Sequence, residues 1–75
     1  KTLNRTEVKQ MMTMDELKKW CLERVNMRRI KSDCRASETV YINHIEFENG
    51  ETYDFQDVEG QGITIKINGT LVYQE

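Results

Sequence analysis

The sequence predicts an α+β protein in which two N-terminal helices, the second one long, pack on a small four-stranded antiparallel sheet. Two Asn-Gly pairs, Asn49-Gly50 and Asn68-Gly69, are flanked by alternating apolar residues, a pattern typical of β-hairpins. The N-terminal half instead has apolar residues at helical spacing. We therefore expect the sheet to consist of two consecutive hairpins and the helices to cover one of its faces.

The 75 residues predict one small domain, which we divide into a helical part (3–31), a linker (32–37) and β-hairpins (38–75). A domain of this size buries only about 60% of its unfolded surface, which leaves little room for a deep substrate cleft. The sequence has no run of about eighteen apolar residues and no recognisable signal peptide. We therefore expect a cytoplasmic protein that does not enter a membrane.

The loop of the first hairpin can be predicted from the side chains that flank it. A three-residue loop over 48–50, with Gly50 in the left-handed region, sets Ile45 opposite Tyr53. This register gathers the apolar side chains of both strands on one face, whereas a two-residue loop would mix polar and apolar side chains on that face. We therefore predict the three-residue loop.

The same loop type is predicted for the second hairpin. A loop over 67–69 pairs Ile65 with Leu71 and Ile63 with Tyr73, so that apolar residues again face each other. Both Asn-Gly pairs are interpreted as turn residues. No glycine-rich segment leads into a helix, so the sequence does not predict a phosphate-binding loop.

Two capping patterns mark the starts of two helices. Asn4 with Glu7, and Thr13 with Glu16, both fit the capping box, in which two side chains satisfy the free N–H groups of a first helical turn. Two consecutive starts imply a break before Thr13, so the first helix is predicted over residues 3–12. One continuous helix through this point is the alternative.

The second helix is predicted from Met14 to about Arg29. Trp20 is expected to pack on the sheet, because it is the largest apolar side chain of an amphipathic helix. The apolar arc of this helix consists of Met14, Leu17, Trp20, Cys21, Val25 and Met27.

The first strand, over residues 39–47, does not alternate cleanly. Val40 and Ile42 point to one face, and Ile45 and Phe47 point to the other. Either a β-bulge near residues 43–44 shifts the phase, or both faces of the strand are partly buried. The second case would leave an apolar patch on the sheet face away from the helices. Such a patch could serve a homodimer, formed through Val40, Ile42 and Val72.

The residue types that carry catalysis or bind metals are sparse. Cys21, Cys34 and His44 lie too far apart in sequence to contain the close ligand pair of zinc sites. We expect both cysteines to be reduced, and we predict neither a metal site nor a cofactor. General acid–base catalysis needs a desolvated group in a cleft, which a small open sheet does not offer. The sequence therefore predicts that the protein is not an enzyme.

Charge is distributed unevenly along the chain. Residues 1–35 carry a net charge of +5, and residues 36–75 carry a net charge of −7. The carboxylates around the first hairpin form what we call the acidic group, and we predict that it binds a partner protein. Its members are Glu46, Glu48, Glu51, Asp54, Asp57 and Glu59.

The basic segment over residues 18–35 suggests an alternative function. Two helices followed by a hairpin resemble a winged helix-turn-helix protein, in which the second helix enters the DNA major groove. The resemblance is incomplete, because a third helix is missing and the hairpin that would form the wing is acidic. The candidate nucleic-acid contacts, which we call the basic group, are Lys18, Lys19, Arg24, Arg28, Arg29, Lys31 and Arg35.

From these observations we expect a small non-catalytic module that binds a larger protein and acts as its regulator or inhibitor. Small size, a charged surface and the lack of an assembled catalytic site are common in small proteins of viruses and mobile elements. Nucleic-acid binding through the basic group is the alternative function.

Overall fold

The computed structural model describes residues 11–75, which form one helix and a five-stranded antiparallel sheet. The strands lie in the sheet in the order in which they occur in the sequence, so each strand pairs with the next. The elements are α1 (Met14–Glu23), β1 (Arg29–Ala36), β2 (Val40–Phe47), β3 (Thr52–Val58), β4 (Gly62–Ile67) and β5 (Thr70–Gln74).

The prediction of two helices on a four-stranded sheet is wrong, because the described residues contain one short helix and a fifth strand. The predicted first helix falls largely outside the described residues, and Met11 and Met12 are not helical. Helix α1 begins as expected, since the Thr13 hydroxyl accepts the N–H of Glu16 and the Glu16 carboxylate accepts the N–H of Thr13. It ends at Glu23, six residues before the predicted end.

The early end of α1 follows from the pairing of the residues beyond it. The N–H of Arg24 donates to the carbonyls of Cys21 and Leu22, which closes the last turn. Five residues later the chain enters β1 and gains a ladder of hydrogen bonds to β2. The side chains of β1 are all exposed, so the strand carries no apolar alternation that could have identified it. The segment predicted as helix end and linker is therefore an edge strand.

Strand β2 contains no bulge between Val40 and Glu46, because its pairing with β3 is continuous over these residues. The irregular alternation of this strand therefore reflects two different faces. Ile45 and Phe47 are buried on the side of α1, whereas Val40 and Ile42 lie on the opposite side of the sheet, which we call the far face.

The first hairpin confirms the predicted three-residue loop. Ile45 pairs with Tyr53, and the N–H of Phe47 donates to the carbonyl of Glu51 at 2.9 Å. Gly50 has a φ of 90° and donates its N–H to the carbonyl of Phe47. The apolar residues of β2 and β3 consequently share the helix side of the sheet.

The predicted loop of the second hairpin is wrong. Asn68 and Gly69 have φ values of 54° and 80°, which are the two positive φ angles of a two-residue type I′ turn. Ile65 pairs with Tyr73 instead of Leu71, and Val72 has no partner in β4. This bulge turns both Val72 and Tyr73 toward the core.

The core lies between α1 and the sheet, where Ile45 and Phe47 of β2 are buried beside a cluster on β4 and β5. Its buried centre consists of Leu17, Ile65, Ile67 and Val72, and the residues packed against it are Met12, Trp20, Tyr53, Phe55, Ile63 and Tyr73. The N–H of Met12 donates to the carbonyl of Val72 at 2.7 Å, which fixes the chain against the outer edge of β5 just before α1 begins. The start of the helix is thereby held at the β5 edge of the sheet.

We predict that Gly69→Ala destabilises the fold by about 1–2 kcal/mol, the usual cost of a left-handed conformation for a residue with a Cβ atom. No atom lies within 4 Å of the added Cβ, so the cost is one of backbone conformation. Urea unfolding measures it, with Gly69→Asn as the control, because asparagine tolerates this conformation. Equal stability of Gly69→Ala and the parent protein would contradict the type I′ turn.

Candidate functional site

Trp20 joins α1 to the sheet through aromatic contacts, as the sequence predicted. Its indole stacks on the ring of Tyr53, with centroids 5.7 Å apart and planes 20° apart. It also meets Phe47 edge to face at 5.9 Å. Offset-stacked and edge-to-face pairs are the favoured arrangements of aromatic rings. These contacts fix the angle at which the helix lies on β2 and β3.

Arg24 covers the outer face of the same indole. Its guanidinium carbon lies 3.9 Å from the centroid of the Trp20 ring, and its Nη1 donates to the Trp20 carbonyl at 2.9 Å. Its Nε and Nη2 donate to the two carboxylate oxygens of Glu51 at 2.8 and 2.9 Å. This bidentate pair lowers the pKa of Glu51, and a bond from Asn49 lowers it further. We call Trp20, Arg24, Glu51 and Tyr53 the helix clamp.

Beside the helix clamp, one side of α1 and of the residues after it does not meet the sheet. Five strands span about 19 Å between the outer two, whereas one helix with its side chains is about 10–12 Å wide. The space left beside the helix forms a groove of about 560 Å³. The groove is lined by Met14, Leu17, Lys18, Trp20, Cys21, Leu22, Arg24, Val25, Arg29, Ile45, Phe47, Tyr53, Phe55, Ile63 and Ile65.

The wall of this groove is apolar and its rim is basic. Leu22 and Val25 of the lining are 70% and 61% exposed, which is unusual for side chains of their size. Lys18 and Arg29 are the cations of the lining that are not part of the helix clamp. The exposed apolar area is therefore continuous with the core and bordered by positive charge.

Two groups in the groove, a thiol and a phenol, are neutral and could lose a proton, and burial opposes both ionisations. It raises the pKa of Tyr53 to about 12 and also raises the pKa of the Cys21 thiol, although the charge of Arg24 acts in the opposite sense on Cys21. A reactive cysteine needs a lowered pKa and a neighbouring base. Neither Cys21 nor Tyr53 is therefore activated as a nucleophile.

His44 lies on the far face between carboxylates. Its Nδ1 contacts Asp54 on β3, and its Nε2 lies 2.9 Å from the carboxylate of Glu46. Asp33 is its partner on β1. The bond to Glu46 and then the bond to Asp54 raise the pKa of His44, and the bond to His44 lowers the pKa of Glu46. Because both ring nitrogens are occupied by carboxylates, neither is free to act as a catalytic base.

The acidic group is divided among three places rather than gathered on one surface. Glu51 belongs to the helix clamp, and Glu46 and Asp54 contact His44. The remaining members are exposed in the first hairpin loop, near the end of β3 and in the turn between β3 and β4, and they are Glu48, Asp57 and Glu59. The structure thus leaves about half of the predicted partner-binding carboxylates without an ionic contact among the described residues.

The basic group is likewise dispersed. Lys18 and Lys19 are on α1, Arg24 is in the helix clamp, and Arg28 precedes β1. The last three members of the basic group lie on β1, and they are Arg29, Lys31 and Arg35. The helix expected to enter a DNA groove ends at Glu23, so the described residues lack the winged helix-turn-helix arrangement. Nucleic-acid binding by these residues stays a prediction.

The residues proposed for a homodimer are not brought together. Val40 and Ile42 lie on the far face, whereas Val72 is 6% exposed and belongs to the core. Sequence reasoning also missed the groove. Its signal was the breadth of the apolar arc of the predicted helix, because Met14, Cys21 and Val25 of that arc are exposed in the structure.

Comparison with known proteins assigns no family. A scan against protein-family models, a search of curated proteins and a search of solved structures each found no match. Within residues 11–75, no three acidic, cysteine or histidine side chains are grouped so as to hold a metal ion. The one helix of this part of the chain is too short to span a membrane.

We predict that Arg24→Lys destabilises the protein by about 1–2 kcal/mol. Lysine can neither form the bidentate pair with Glu51 nor stack a planar charged group on the Trp20 ring. Urea unfolding followed by Trp20 fluorescence measures the change. Lys19→Arg, on an exposed position of the same helix, is the matched control. An effect no larger than that of the control would remove the helix clamp as a stabilising contact.

His44 should make stability depend on pH in a defined direction. Its pKa is raised above 6.5, so its contribution is fully present below that pH and is lost as pH rises through the raised value. We expect a lower urea midpoint at about pH 8 than at about pH 6. The His44→Gln variant should lose this difference. An NMR titration of the imidazole with a pKa at or below 6.5 would contradict the carboxylate contacts, and the assignment is simple because the chain has one histidine.

Proposed function

We propose that this protein is a non-catalytic binding module whose groove beside α1 holds a helix of a larger partner protein. The observation that carries the proposal is a largely apolar groove of about 560 Å³ beside α1, at which the side chains of Leu22 and Val25 are exposed. A surface of this kind, continuous with the core and bordered by charge, is typical of sites that bind other proteins.

The dimensions of the groove favour a helix as the occupant. Helices packed side by side on a sheet lie about 8–10 Å apart, so the width of five strands accommodates two of them. Helix α1 supplies one. A second helix laid in the groove would contact the half-buried Phe55 and cover the exposed side chains of Leu22 and Val25.

The polar groups around the groove favour an amphipathic helix with acidic edges. Lys18 and Arg29 border the apolar wall and would face carboxylates of the partner. Binding to a helix of a larger protein is a simple way to regulate or inhibit that protein.

The acidic group remains a second docking hypothesis, with less support. Three of its six carboxylates are engaged with Arg24 or His44, and removing them from these contacts would cost stability. Glu48 is an exposed member that can be changed to separate the two hypotheses.

We predict that a short amphipathic helical peptide with leucines on one face and glutamates along its edges binds the protein and changes the emission of Trp20. The same peptide with lysines in place of the glutamates should bind about tenfold more weakly, which corresponds to about 1.4 kcal/mol. Val25→Glu should weaken binding of the acidic peptide by at least a similar factor, because it places a charge on the apolar wall.

Two control variants make this experiment specific. Gln61→Glu adds the same charge at an exposed turn outside the groove, and Glu48→Lys reverses a member of the acidic group. Neither should alter binding of the acidic peptide by more than about twofold. Equal affinity for both peptides, or no saturable binding, would contradict the proposal. Loss of binding in Glu48→Lys alone would favour the acidic group instead.

A further inference from the structure

Strand β1 presents a free edge. Its inner side pairs with β2, and no other strand of residues 11–75 pairs with its outer side. The opposite edge of the sheet, at β5, is partly occupied, because the carbonyl of Val72 accepts the N–H of Met12. An eight-residue edge strand with unpaired N–H and C=O groups is a template for another strand.

The hydrogen-bonding pattern shows which residues of β1 face outward. In an antiparallel pair, hydrogen-bonded and non-hydrogen-bonded residue pairs alternate along the strands. The N–H of Ser37 donates to the carbonyl of Val40 at 2.8 Å, which makes this a hydrogen-bonded pair. Counting back along the register, Arg35 and Asp33 also bond to β2. The backbone groups directed outward therefore belong to Ser32, Cys34 and Ala36.

We infer that this edge pairs with the same edge of a second copy of the chain, antiparallel and about a two-fold axis through Cys34. The two sheets then form one continuous sheet. In this register the outward groups of Ser32 bond to those of Ala36 in the other copy, and Cys34 bonds to its own equivalent. The inference is independent of the helix-binding groove.

Charge complementarity selects this register. With the axis at Cys34, Asp33 of each copy lies directly opposite Arg35 of the other, which gives two cross-strand pairs of opposite charge. An axis at Asp33 would instead set two aspartates opposite each other and Lys31 opposite Arg35. An axis at Ser32 would bring the irregular pairing around Ile30 into the new contact.

Charges on an edge strand also have a protective role, because they prevent unwanted pairing. Protection is achieved by charges that repel a second copy. On β1 the signs alternate through Lys31, Asp33 and Arg35, so a two-fold copy meets attraction rather than repulsion. This alternation of charge sign distinguishes an edge that can pair with a second copy from an edge whose charges prevent pairing.

Analytical ultracentrifugation over a wide range of protein concentration, in reducing buffer, tests the inference. The parent protein should dimerise, and Arg35→Asp or Asp33→Arg alone should weaken the dimer by about tenfold, because each sets like charges opposite each other. Mixing the two single variants should restore association, since every cross-strand pair is then of opposite charge. The double variant Asp33→Arg/Arg35→Asp should dimerise like the parent.

The position of the axis can be tested by a disulfide between copies. Residues in a hydrogen-bonded pair have Cα atoms about 5.5 Å apart, within the range that a disulfide spans. In a Cys21→Ser background, copper phenanthroline and oxygen should link Cys34 to its equivalent, with two thiols losing two protons and two electrons to oxygen. Cys34→Ser/Ser32→Cys is the matched control and should link much more slowly, because residue 32 faces residue 36 of the other copy.

Each outcome either supports or overturns the inference. A parent protein that stays monomeric at all concentrations, single variants that dimerise like the parent, or a mixture that fails to associate would overturn it. Equal disulfide formation by the control would overturn the register. Binding of the helical peptide to the Arg35→Asp variant is measured in parallel and should be unchanged, so failure of the dimer is distinguishable from failure of the groove.

Discussion

The rest of the structure depends on one set of contacts. Trp20 stacks on the ring of Tyr53, and Arg24, paired with Glu51, covers the other side of the indole. Helix α1 has only ten residues, and so short a helix is marginal in water without tertiary support. The aromatic stack covers part of its largest side chain, and the ion pair connects the end of the helix to the loop between β2 and β3. The position of the helix on the sheet follows from these two contacts together with Leu17 in the core.

The same contact determines what the helix leaves uncovered. Because α1 is held on the sheet by these contacts, Leu22 and Val25 are directed away from the core and stay exposed at the groove. Because the chain leaves the helix at Glu23, the following residues are free to pair with β2 and to become the edge strand β1. The helix ends early, and both the groove and the free edge of the sheet follow from this. The proposed partner helix binds in the groove on the helix side of the sheet, whereas the proposed dimer forms through the outer edge of β1. The two proposals therefore use different residues.

Much of the sheet could be predicted from the sequence, because turn chemistry and apolar alternation act locally. The loop at Gly50 and the pairing of Ile45 with Tyr53 were recoverable in this way, as were the cap at Thr13 and the packing of Trp20. The second hairpin was mispredicted because Asn68 adopts a positive φ itself, which shortens the loop, and a bulge at Val72 then restores the apolar face. Local alternation does not reveal a bulge.

The remaining errors concern tertiary contacts that leave no periodic signal. Strand β1 is polar on both sides, and nothing in its sequence distinguishes it from the end of a basic helix. Likewise, the sequence does not show that Glu51 is paired with Arg24, or that His44 occupies two members of the acidic group. A charged residue can be assigned to a binding surface only when its partners within the chain are known. The candidate site was therefore the part least accessible to sequence reasoning.

The most direct test of this account is a nuclear Overhauser spectrum of the full chain in reducing buffer. Trp20 is the only tryptophan, so its indole resonances are unambiguous. The account predicts cross-peaks from the indole to the rings of Tyr53 and Phe47 and from the side chain of Arg24 to the same indole. An indole with solvent-like chemical shifts and no cross-peak to Tyr53 would contradict the seating of the helix, and with it the groove and the edge strand that follow from it.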